Sequence, residues 1–228
     1  MNCLHRLIRF SLLAGCLVPA LAVAEPVSSP PTITHHQLTL ELLPDSHQLI
    51  ATDRVTLSAG SPGRTLAFSL APTIQIERIQ DITHCQASCE MAPELAFERD
   101  GSSGRSEPQR VILKPPATDR TDGTVTLKFS YRGVVDDPPR DPRHLRFVTP
   151  SETSGHIGPE GVYLSSESQW YPDLNGSLAT YDVTIAVPEG WTAVTQGAPQ
   201  SEQGHWIVPT KSEALTVVAN RFVVKSRT

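Results

Sequence analysis

Tyr181-Asp182-Val183-Thr184-Ile185-Ala186-Val187-Pro188-Glu189-Gly190-Trp191-Thr192-Ala193-Val194-Thr195 is the stretch on which the fold class turns. Its first seven residues alternate side-chain character at period two, the pattern of a half-buried strand. Pro188-Glu189-Gly190 breaks that run, with Gly190 supplying the positive-φ position of a turn. Thr192–Thr195 then predicts a second strand. The pattern repeats outward in both directions. Residues 36–42 and 48–57 alternate in the same way around Pro44-Asp45-Ser46 and predict a long opening hairpin. Residues 65–70, 73–80, 95–99, 110–113 and 124–131 predict further strands, and so do Gly161–Leu164 and residues 205–208, 215–219 and 222–225.

Turn signals separate these runs at short intervals: Ser61-Pro62-Gly63, Asp100-Gly101, Asp122-Gly123 and Asn175-Gly176. No window carries a sustained helical stripe, and the 20 prolines among 228 residues argue against a helical bundle. Residues 136–159, with Pro138, Pro139 and Pro142, predict one long surface loop. The expected fold class is all-β: a single antiparallel β-sandwich or saddle-shaped sheet over residues 34–228, after a short linker at 25–33.

Residues 1–24 predict a signal peptide. Arg6 and Arg9 form a basic start, residues 10–21 an apolar stretch, and Ala22-Val23-Ala24 a cleavage site. The apolar run is too short to span a bilayer, so the expected mature chain has no transmembrane segment and is exported to a periplasm or extracellular space. A second reading takes Leu13-Ala14-Gly15-Cys16 as a lipobox, with the chain anchored through a lipidated Cys16. The formal charge is −5, and only four of the 19 basic residues are lysines, which excludes a broad basic footprint for nucleic acid.

Beyond the leader only Cys85 and Cys89 remain. An oxidising compartment favours their closure as a disulfide that holds a hairpin tip. Free thiols, or a metal site with His84 and Glu90, are the alternatives, and the second pair of ligands that a zinc site needs is missing. None of the eight histidines stands four residues from another. His35 and His36 are adjacent, so on a strand they face opposite ways and cannot share a metal; the plain expectation is a pair of solvent-facing histidines. Nucleophile-elbow and phosphate-loop motifs are absent, and Asp136-Asp137 reads as part of a solvated loop. No catalytic set and no metal site is expected in this chain.

The stretch from Gly158 to Leu174, with Tyr163-Leu164-Ser165-Ser166-Glu167-Ser168-Gln169-Trp170-Tyr171-Pro172, continues into Tyr181–Gly197 as quoted above. Together with the opening hairpin and the closing Val218-Ala219-Asn220-Arg221-Phe222, it resembles the N-terminal β-domain of the zinc aminopeptidases related to aminopeptidase N. In that family a thermolysin-like domain follows, with a Gly-x-Met-Glu-Asn loop and a His-Glu-x-x-His zinc site; neither motif occurs here. The resemblance therefore implies a non-catalytic domain, in cis or in trans with a catalytic partner, that helps close a substrate cleft. Zinc is expected only in that other domain. Glu167 and Gln169 match positions where some members present an acid or amide to a peptide's free N-terminus; otherwise they are ordinary exposed polar residues. Trp170, Tyr171 and Trp191 are expected as core or interface anchors, with an exposed apolar face near Trp170 if a catalytic domain covers it. The rival reading is a free-standing periplasmic binding module with its aromatics buried.

Overall fold

The computed structural model describes residues 30–58, 65–85, 89–100, 108–114, 123–138, 153–174, 176–200 and 204–223. The predicted leader with Cys16, most of the 25–33 linker and the turns at 61–63 and 122 lie outside the described residues. So do Gly101, Asn175 and residues 224–225.

Strands account for nearly all of the regular structure. A seven-stranded sheet runs in the order β12 (Ala198–Pro199), β13 (His205–Ser212), β10 (Ala179–Ala186), β1 (Thr32–Leu43), β2 (Gln48–Ser58), β7 (Thr124–Val134), β4 (Ile74–Asp81). A four-stranded sheet has the order β11 (Thr192–Thr195), β14 (Val217–Asn220), β9 (Gly161–Leu164), β8 (Gly155–Gly158). A three-stranded sheet has β3 (Leu66–Leu70), β6 (Gln109–Leu113) and β5 (Phe97–Asp100). The pairs are antiparallel except β1 with β10, which run parallel. β1 and β2 form the opening hairpin through the 3-10 turn Pro44–Ser46.

Alternation is what packs these sheets. Along β2, Leu49, Ala51, Asp53, Val55 and Leu57 all point inward, and Leu38, Leu40 and Leu42 do the same along β1. One apolar core draws side chains from all three sheets, for example where Phe68 of β3 meets Phe129 of β7 edge to face. Gly190 sits at φ 78°, as the turn after Pro188 requires. Pro209 falls inside β13, at a register shift against β10 where no ladder donor is needed.

Three expectations are corrected and one is met. The 136–159 loop contains β8, whose four residues are all buried; Gly155 and Gly158 hide its alternation from the sequence. Phe222 and Val223 are exposed and outside any strand. The Cys85–Cys89 disulfide is formed at a hairpin tip as expected: Asp81 N donates to Pro93 O at 2.9 Å and Leu95 N to Ile79 O at 2.8 Å, so the chain on its two sides pairs antiparallel. His36 is not solvent-facing. Its Nδ1 lies 2.7 Å from Oδ2 of the fully buried Asp53, and its ring stacks on Tyr181 with Tyr171 edge-on.

This polar island sets the titration of its neighbours. Burial first, then the Asp53 carboxylate, raises the Tyr131 hydroxyl well above the ordinary phenol range. Burial also raises Tyr171 and Tyr181. His35, on the other face of β1, accepts or donates through Nδ1 to Thr180 Oγ1 and is lowered by burial and then by His36.

Candidate functional site

The 3-10 turn Ser166–Ser168 places Glu167 in solvent and ends in Gln169, which adopts the left-handed conformation at φ 48°. A non-glycine residue in that region carries local strain of about 1 kcal/mol. The flanking chain is tightly held: Ala71 N donates to Gln169 O at 2.8 Å, and Ser69 and Asp173 exchange backbone hydrogen bonds in both directions. Trp170 follows, wholly buried, with Tyr171 packed edge-on against it. The strained residue is thus fixed by a rigid frame on its C-terminal side.

A cleft of about 350 Å³ opens beside this turn. Asp136, Asp137, Glu167, Ser168 and Gln169 line it, and among the described residues no basic residue does. The amide oxygen Oε1 of Gln169 is buried and has no hydrogen-bond partner among the described residues. Asp137 is engaged by Ser154, through its backbone N–H at 3.4 Å and its hydroxyl at 3.3 Å. The three carboxylates form an acceptor-rich wall suited to an ammonium group.

Glu167 and Gln169 are therefore brought together on one cleft, and Gln169 is half-buried rather than an ordinary surface residue. Asp136-Asp137, read from sequence as solvated loop, is exposed but shares the same cleft. Sequence spacing could not find this, because the two segments meet only through β8 and the end of β7. Asp136 also touches His47 and His156 on its other side; ligand atoms of these three residues lie within 4.8 Å of one another. Histidine spacing misses that group too, since its members come from three separate segments. Cys85 and Cys89 contribute to neither arrangement. The three aromatics expected as core or interface anchors, Trp170, Tyr171 and Trp191, are all buried within this chain. Among the described residues no helix is long and apolar enough to cross a membrane.

No protein-family model and no curated protein sequence matches the chain. Solved structures do. An M1 zinc metallopeptidase from Deinococcus radiodurans aligns over 82% of this chain and 42% of its own, with TM-score 0.53 and 18% identity. Native yeast LTA4 hydrolase aligns over 83% of this chain and 29% of its own, with TM-score 0.57 and 10% identity. A two-domain M1 zinc metallopeptidase bound to L-tryptophan gives TM-score 0.54 at 18% identity, over 82% of this chain and 42% of that one. The chain spans less than half the length of these structures, and at such identities the likeness is one of fold. That fold is the N-terminal β-domain of the M1 zinc metallopeptidases.

Proposed function

We propose that the chain serves as the non-catalytic N-terminal domain of an exported zinc aminopeptidase, packing on a thermolysin-like catalytic domain and helping to close its substrate cleft. The observation that carries this is the shared fold together with the acid-lined cleft at Glu167 and Gln169. In this reading the carboxylate of Glu167 and, once its buried Oε1 has turned into the cleft, the amide of Gln169 accept hydrogen bonds from the ammonium of a peptide N-terminus. Such charge-assisted bonds contribute about 1.5–3 kcal/mol each. The peptidase zinc belongs to the catalytic domain. Residues 1–24 direct export, or Cys16 carries a lipid anchor.

A second reading is a free-standing periplasmic binding module. The burial of Trp170, Tyr171 and Trp191 within this chain favours it, since none of these three rings is left for a catalytic domain to cover.

The native size decides between them. An antibody against residues 25–228 is used to probe the source cells. A band far above 24.8 kDa supports the peptidase domain, and a band at or just below that size establishes the stand-alone module. If the larger protein is found, the combined Glu167→Gln and Gln169→Ala variant should raise KM for free-N-terminus peptides about tenfold or more, with kcat little changed. An unchanged KM would remove the amine-recognition role.

A further inference from the structure

We propose that His47, Asp136 and His156 form a binding site for one divalent transition-metal ion of the zinc class, and this stands independently of the peptidase reading. Three segments distant in sequence build it. His47 follows the Pro44–Ser46 turn of the β1–β2 hairpin, Asp136 follows β7, and His156 lies in β8. Backbone hydrogen bonds tie these segments into one ladder: Val135 N to His47 O at 3.0 Å, Ile157 N to Val135 O at 2.9 Å, and Asp137 N to Gly155 O at 3.1 Å. The ligand positions are thereby set before any ion arrives.

The decisive residue is His156. Its side chain is 7% exposed, and its Nε2 lies 2.5 Å from Oε1 of Glu160. A carboxylate can only accept, so Nε2 carries the hydrogen, and in the neutral ring Nδ1 carries the lone pair. That Nδ1 is buried and has no hydrogen-bond partner among the described residues. It lies 3.2 Å from Oδ1 of Asp136, yet out of line for a hydrogen bond to it. Two acceptors facing each other at that distance repel unless a positive charge sits between them.

A tetrahedral ion with ligand bonds of about 2.0–2.1 Å holds its ligand atoms about 3.3 Å apart, close to this spacing. The carboxylate-to-imidazole-to-ion order is the usual means by which outer groups fix a ligating histidine. His47 supplies the third ligand. Its half-exposed ring lies with Nδ1 3.8 Å from Oδ1 of Asp136, and Nδ1 also meets the Ile157 carbonyl at 2.6 Å. Binding through Nε2 keeps that bond, and binding through Nδ1 exchanges it for the ion. Two imidazoles and one carboxylate suit zinc, copper or nickel better than calcium or magnesium, and three protein ligands leave a fourth position to water.

The test uses the untagged mature chain, stripped with a chelator and titrated with zinc chloride alone, by calorimetry and by thermal melting. The expected result is one saturable site, and at zinc concentrations of a hundred times Kd a roughly 100-fold shift of the unfolding equilibrium toward the folded state. Cobalt should give the visible absorption of a four-coordinate ion. Asp136→Asn, at a half-exposed position, should leave the metal-free melting temperature little changed and weaken zinc binding at least tenfold, and His47→Gln, which also gives up the bond to the Ile157 carbonyl, should weaken binding as much. His156→Ala should abolish binding, with Glu160→Gln as the milder variant should His156→Ala not fold. Absence of saturable binding at about 100 µM zinc, far above the Kd of a three-ligand site, overturns the proposal. So does binding that Asp136→Asn and His47→Gln leave intact. Nitrogen-15 spectra showing His156 doubly protonated at neutral pH, unchanged by zinc, would identify a simple ion bridge instead.

Discussion

His36 occupies a position where the strand pattern calls for hydrocarbon. It shares parity with Leu38, Leu40 and Leu42, so alternation alone turns it inward; its chemical type argued for solvent, and parity won. What makes this tolerable is Asp53, one strand over and equally buried. Replacing His36 by leucine strands that carboxylate in the core, where its Oδ1 already has no partner among the described residues. His36→Leu should cost about 3 kcal/mol in urea unfolding. The double variant His36→Leu with Asp53→Leu should recover most of that loss, because no buried charge is then left alone. Gln169 presents the opposite case. Nothing in its neighbours announces a left-handed backbone or a buried, unpartnered amide, so its position on the polar turn was legible while its environment was not.

Elements were legible wherever side chains alternate. The opening hairpin, β7, β9 and β11 stand where period two predicts them, because each buries one row of side chains and wets the other. β8 failed that criterion for a physical reason: Gly-His-Ile-Gly is buried on both faces and has only two side chains to show a period. Glycine also marks the crossing of β7 and β4, where Gly133 pairs with Ile74. A Cβ on Gly133 would lie 2.4 Å from Ile74 Cδ1 and 2.8 Å from the Thr73 carbonyl oxygen. The side-chain contact can yield; the backbone contact cannot do so without parting the strands. Gly133→Ala should therefore lose about 2 kcal/mol, seen as a lower thermal midpoint with an unchanged strand spectrum.

At the scale of the molecule, sequence predicted the fold class and could not predict which distant strands meet. Pairing across sheets, the cleft beside Glu167 and the His47, Asp136 and His156 group all depend on contacts between segments remote in the chain. The buried tyrosines give the assembled core a pH signature. A phenol whose folded pKa is raised keeps its proton where the unfolded chain has lost it. Stability is then intact below about pH 10 and falls above it, by about 1.4 kcal/mol per pH unit from Tyr131 alone. Alkaline titration should show the phenolate absorbance of Tyr131, Tyr171 and Tyr181 emerging together with loss of the strand spectrum, not before it. Early ionisation with the fold intact would contradict their burial.

The parallel join between β1 and β10 governs how such a chain reaches its final state. His35 and Thr180, paired across that join, are 145 residues apart. During synthesis the first hairpin emerges with the outer rim of β1 bare, and it stays bare until Ala179–Ala186 of β10 has arrived. A bare rim is a template for strands of other molecules, and so remote a closure is slow. The interval before β10 docks is when this protein is most prone to aggregate, and when a holding chaperone has most to protect.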